Sequence, residues 1–264
     1  DLLGSRGLGD VYKRQGVNVG SIGDRNLGNS ISSASRDSIA FEQVGKIGLG
    51  DIDISEDGNT LYVVNLAEKE LVSINIANYI NAGILPTANN VQTYDIPNPS
   101  CAGGSYRPFG VKVKSGKVYV GVVCSAEATQ QRSDLKATVY EFTPSNNVFN
   151  QRVSFSLDYI KGALTNFTGL DGDNCKYWEA WTDNYTMFHH TNLSDGICYS
   201  QPILSDIEFD VDGSMVLGFI DRAGHQLGND NFPPIFWNNN QLSTGVAGGD
   251  VIRCLLYTSD AADE

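Results

Sequence analysis

Histidine is scarce in this chain, with 3 among 264 residues, and methionine scarcer, with 2. No GxSxG, HExxH or comparable constellation unites His189, His190 or His225 with a nucleophile, so base-assisted hydrolysis has no local signature. No run of about 18 apolar residues occurs, which excludes a membrane-crossing helix. Basic residues are also few. Lys and Arg number 18 against 31 Asp and Glu, a net charge of -13, and a nucleic-acid backbone needs clustered cations that are missing here. CxxC pairs and Cys/His spacings of a zinc site are absent too.

Helical periodicity is nearly absent between residues 16 and 253. What is present is a recurring strand, tight turn and returning strand. In GDIDISEDGNTLYVVNL (50–66), Ile52 and Ile54 alternate with Asp51, Asp53 and Ser55, and Asp57-Gly58 supplies a hairpin turn. FGVKVK turns at Ser115-Gly116 into KVYVGVVC, and LSDIEFD turns at Asp212-Gly213 into SMVLGFI. Ile52, Val111 and Ile207 hold equivalent positions, as do Val63, Val120 and Leu217. Four antiparallel strands per repeated unit predict an all-β fold, a partial β-propeller of four-stranded blades. The spacing of the units is uneven, and the alternative is a β-sandwich with long loops.

The two ends read differently. Back-translated as GAT GTG TAT AAG AGA CAG, Asp10–Gln15 has a reverse complement that encodes Cys-Leu-Leu-Tyr-Thr-Ser one base out of frame, the residues of 254–259. Segments 1–15 and 254–264 are therefore expected to be translated transposase-adapter sequence, leaving 16–253 as the propeller-like domain of a longer protein that continues into further domains.

With Cys254 set aside, Cys101, Cys124, Cys175 and Cys198 remain. An even count in a Lys-poor, Asn-rich chain fits an oxidising compartment, and the favoured local pairing is Cys101 with Cys124 and Cys175 with Cys198. Loop-closure entropy makes each such bridge worth about 3 kcal/mol. Asn-X-Ser/Thr triplets stand at Asn166, Asn184 and Asn192.

The phrases GKIGLGDIDISEDGNTLYVVNL, RPFGVKVKSGKVYVGVVCSAE, LSDIEFDVDGSMVLGFIDRAGHQ and AGGDVIR together resemble the propeller-like region of large secreted bacterial surface proteins that carry serine–aspartate-repeat adhesin B-type domains. The resemblance covers about 44–253. It implies secretion or cell-surface placement and an adhesive or scaffold role without catalysis, and it transfers no catalytic residue.

Candidate site residues follow from the blade geometry. The leading ends of innermost strands approach the channel of a propeller, which predicts Asp51, Arg107 and Asp206 at one channel mouth with Arg222 beyond. These groups either bind a ligand or pair with one another to fix neighbouring blades. The insertion 158–202 has no period and carries Trp178, Trp181 and Tyr185, expected as a lid on the blade edge or a platform for sugar rings. Asp171-Gly172-Asp173-Asn174 is a weak candidate for calcium, which takes six to eight oxygens; no other cofactor is predicted. The expected function is a non-enzymatic extracellular scaffold or binding module whose partner is a macromolecule or surface glycan. The competing expectation is a calcium-dependent propeller hydrolase or lactonase.

Overall fold

The computed structural model describes residues 17–23, 25, 27, 30, 32–162, 175–190, 196–235 and 241–255. A short helix α1 (Ser38–Gln43), capped by the Asp37 carboxylate accepting from the Ala40 amide at 3.0 Å, leads into the first β unit. That unit comprises β1 (Leu49–Ile54), β2 (Thr60–Asn65), β3 (Glu70–Asn75) and, after helix α2 (Ala77–Ala82), β4 (Val91–Asp95). The second comprises β5 (Tyr106–Lys114), β6 (Lys117–Cys124), β7 (Lys136–Thr143) and β8 (Val148–Ser156). Each is an antiparallel sheet with its strands in chain order.

The rest of the chain is less regular. β9 (His189–His190) and β10 (Gly196–Cys198) precede β11 (Pro202–Phe209) and β12 (Met215–Asp221); helix α3 (Arg222–Leu227), β13 (Thr244–Gly245) and β14 (Asp250–Cys254) follow. β11, β12 and β14 form the third sheet, while β13, β10 and β9 form a small fourth one. The expectation of four strands per unit is corrected here. After β12 the chain caps α3 through Asp221 and returns to the third sheet only at β14, so this sheet has three strands among the described residues.

The hairpin reading holds at residue level. Ile52 pairs with Val63, Val111 with Val120 and Ile207 with Leu217. Gly58, Gly116 and Gly213 have φ of 72°, 69° and 85°, and Ser115 has φ 51°, so Ser115-Gly116 has two positive-φ residues as a tight two-residue turn requires. Each leading strand also has a register shift just before the paired apolar residue, between Leu49 and Ile52, Pro108 and Val111, and Leu204 and Asp206.

These shifts sit where the leading strands of the three sheets meet. β5 packs against both β1 and β11. A Cβ on Gly50 would lie 2.6 Å from the Phe109 carbonyl oxygen, so backbone fills the space that a side chain would need. The Asp51 and Asp53 carboxylates accept from the amides of Val111 at 3.1 Å and Val113 at 2.7 Å, and Glu56 accepts from Ser115 at 2.6 Å. Acidic side chains of the first unit thus cover the open edge of β5, the groups an edge strand would otherwise expose.

The middle sheet is apolar on both faces. Val118, Val120, Val122, Tyr140 and Phe142 pack on Val64, Leu66 and Leu71 of the first unit. Val123, Ala137 and Val139 pack on Leu204, Ile207 and Leu217 of the third. Period-two alternation explains how β6 and β7 serve two cores at once. Burial of each such Val or Leu contributes about 1.5–3 kcal/mol. The structure is thus a series of three antiparallel β units with a small mixed sheet, in which β10 and β13 run parallel. Among the described residues these sheets do not pair into a closed ring.

Candidate functional site

The four predicted mouth residues fall into two groups. Asp51 lies near Asp53 and Asp206. Burial raises the Asp51 pKa, the amides of Val111 and Ile52 lower it, and the charges of Asp206 and Asp53 raise it again, for a net upward shift. Facing this acidic group is Lys112 of β5, whose Nζ lies 2.5 Å from Glu208 Oε1 of β11. The Lys112 pKa is raised, chiefly by the bond to Glu208. Side chains of the leading strands therefore cross from the first unit to the second and from the second to the third.

Arg107 and Arg222 form the other group, both beside one ring. Their guanidinium carbons lie 5.5 and 4.7 Å from the Trp181 ring centroid. Arg107 donates through Nη2 to both Glu127 oxygens at 2.7 and 2.9 Å. Arg222 is fully buried and reaches five acceptors. Nε donates to Val44 O at 2.8 Å, and Nη1 to Thr182 O at 2.9 Å and Gln201 Oε1 at 2.8 Å. Nη2 donates to Asp183 Oδ1 at 2.7 Å and Glu42 O at 3.3 Å.

Asp221, the residue before, is nearly as buried and accepts from the amides of Gln201 and Ala223 at 2.9 Å and Gly248 at 3.1 Å. Burial raises its pKa despite those bonds. The Asp221–Arg222 step thereby ties α1, the 182–183 loop, the start of β11 and the approach to β14 into one polar knot. Sequence reasoning named Arg222 but missed Asp221, Gln201 and Thr182. No local pattern marks them, since the Val44 acceptor lies 178 positions from Arg222.

The aromatic residues of the insertion are interior. Trp178, Trp181 and Tyr185 are 0%, 1% and 2% exposed. Trp178 Nε1 donates to Tyr159 Oη at 3.2 Å, and that hydroxyl donates to Asp250 Oδ2 at 2.8 Å at the start of β14. Trp181 Nε1 donates to Pro202 O at 2.8 Å, and Tyr185 packs with Phe41 and Phe188. These rings act as packing between chain segments. They present no open stacking face.

Two disulfides are present, Cys101–Cys124 and Cys175–Cys198. Asn184 is exposed, and its side chain accepts from the Thr186 amide at 3.1 Å. Asp171, Asp173, Asn166 and Asn192 lie outside the described residues, as do the His189 and His190 side chains. Among the described residues no group of three or more His, Cys, Asp or Glu is arranged to hold a metal ion, and no helix is long and apolar enough to cross a membrane.

Across these units the chain has relatives in a eukaryote. It is similar to colossins of Dictyostelium discoideum. Colossin-C is 30% identical over 190 residues, 71% of this chain and 17% of that protein. Colossin-D is 27% identical over 217 residues, 79% of this chain and 20% of the relative, and Colossin-A is 26% identical over 190 residues, 70% and 2%. The chain thus spans a fifth or less of these relatives. No protein-family model matches it.

These relatives correct the resemblance to bacterial surface proteins with serine–aspartate-repeat adhesin B-type domains. The phrases that carried it are Asp-Gly and Ser-Gly hairpins between alternating strands. Any repeated antiparallel unit needs that chemistry, so it does not distinguish bacterial from eukaryotic proteins.

Proposed function

We propose that this chain is an extracellular, non-enzymatic display module that presents its outer surfaces to a macromolecule or glycan. In this reading the sheets fan about the line where β1, β5 and β11 meet, as blades of an incomplete propeller. The observation that carries it is the use of the inner-strand charges. Asp51 and Asp53 hold the amides of Val111 and Val113, and Lys112 holds Glu208, so these groups join units together. A hydrolase with calcium at this mouth would need such carboxylates directed at the ion. The two disulfides support secretion, since such bonds persist in oxidising compartments.

The test is to offer the oxidised 264-residue chain to an array of extracellular proteins and glycans, and in parallel to ester and lactone substrates with calcium. Binding without turnover is the expected result. Calcium-dependent turnover abolished by Asp51→Asn and Asp206→Asn would replace the reading with the hydrolase.

A further inference from the structure

A cleft of about 310 Å³ opens between the first sheet and the β7–β8 turn at Pro144, away from the inner strands. Its floor is one face of β2, β3 and β4. Tyr62, Ser73 and Gln92 stand opposite one another across the three strands, and Thr60 opposite Asn75 forms the next row. Further along the same face, Val64 and Leu71 pack on the second sheet. On the opposite face Val63, Val72 and Ile74 lie in a separate apolar cluster. The polar end of the inter-sheet surface is thus local, and the cleft opens at it.

Every residue lining it is neutral, in a chain of net charge -13. Three carboxamides are oriented by the protein through their oxygens. Asn75 Oδ1 accepts from the Ala77 amide at 3.0 Å, Asn90 Oδ1 from the Thr87 amide at 2.9 Å, and Gln92 Oε1 from the Tyr94 hydroxyl at 2.5 Å. Each leaves an NH2 group with two donors. Tyr62 and Ser73 are only 8% and 9% exposed as residues, and their hydroxyls reach the open cleft with no hydrogen-bond partner among the described residues. Hydroxyls that face an open cleft pair with water, which the hydroxyls of a ligand can replace.

We propose that this cleft binds a neutral glycan, with the Asn75, Asn90 and Gln92 amides and the Tyr62 and Ser73 hydroxyls bonding sugar hydroxyls. Fixed donors without charge suit a ligand dense in neutral hydroxyl groups and discriminate against ionic ones, whose charge would have no counter-ion in the cleft. The inference deepens the display-module reading and rests on it.

The experiment titrates the full chain with two- to six-unit oligosaccharides of glucose, galactose, mannose and N-acetylglucosamine, beside sialylated and sulfated counterparts. Gln92→Glu and Asn75→Asp keep the oxygen acceptors that Tyr94 and Ala77 use but replace the donors. Binding of a neutral oligosaccharide, weakened about tenfold or more by either variant with melting unchanged, is expected from the loss of about one or two hydrogen bonds. Preference for the charged sugars, or neutral binding that both variants leave intact, would place the site elsewhere while leaving the display reading standing. Absence of any oligosaccharide binding at millimolar concentration would overturn the cleft assignment. Protein ligands captured on the extracellular array would still uphold the display reading in that case, and a blank array would remove its support as well.

Discussion

The Arg222 guanidinium lies 4.7 Å from the Trp181 ring centroid, and both side chains are buried to 1% exposure or less. A charge so deep is tolerated because every face of the guanidinium has an acceptor or a ring. One residue from α3 thus joins the end of α1, the 182–183 loop and Gln201, the residue before β11.

Arg222→Ala should be severely destabilising, by about 3–5 kcal/mol, because Asp183, the Gln201 side-chain oxygen and the carbonyls of Glu42, Val44 and Thr182 each lose one donor. Arg222→Lys should recover only part of this, since one ammonium cannot reach five acceptors spread around a planar fork. Urea denaturation followed by tryptophan fluorescence measures both; a Lys variant as stable as the parent would contradict the geometry.

Acid should weaken the same knot. Burial opposes the charge of Asp183, but the bonds from Lys46 and Arg222 outweigh it and hold the pKa below 3.8. An acid whose folded pKa is depressed stabilises the fold fully above its ordinary pKa and loses that contribution as pH falls through the folded value. The stability difference between parent and Asp183→Asn should therefore be constant from pH 7 to about 5 and shrink below about 3.8. Asp51 is the opposite case: its raised pKa makes its ionisation oppose folding as pH rises above 3.8. Melts at stepped pH for Asp183→Asn and Asp51→Asn distinguish the two signs.

Gly121→Ala tests how closely the second and third units pack. The added methyl would meet Leu204 Cγ at 2.6 Å. Overpacking of this kind costs about 1–3 kcal/mol. Leu204→Val destabilises alone by removing core volume, but beside Gly121→Ala it should cost less than the sum of the single changes. Strict additivity in a double-mutant cycle would show that the two residues do not share a boundary.

Replacing Cys101 and Cys124 together by Ser should lower stability by about 3 kcal/mol, the loop-closure value for a separation of 23 residues. The same magnitude applies to Cys175 with Cys198. Differential scanning calorimetry of the two double variants, oxidised and reduced, checks that each loss matches reduction of its own bridge.

Much of the β architecture could be read from local chemistry. Alternation at Ile52 and Ile54 and positive φ at Gly58, Gly116 and Gly213 are properties of a few neighbouring residues, so the hairpins followed from the sequence, while the register shifts in their leading strands did not. The pairing of cysteines at matching short separations was legible in the same way. Kinship was not, because turn chemistry is shared by unrelated β proteins.

What the tertiary structure alone decided is where each side chain finds its partner. Trp178 and Trp181 could have faced solvent as well as the core, and Asp51 could have faced a ligand as well as the Val111 amide. Arg222 meets Val44 across 178 positions, and Tyr62 and Ser73 share a cleft only because β2 and β3 pair while Pro144 comes from another sheet. Periodicity encodes which face of a strand is apolar. Close packing between strands distant in the chain determines whether a polar group on that face is paired, buried or left open to a ligand.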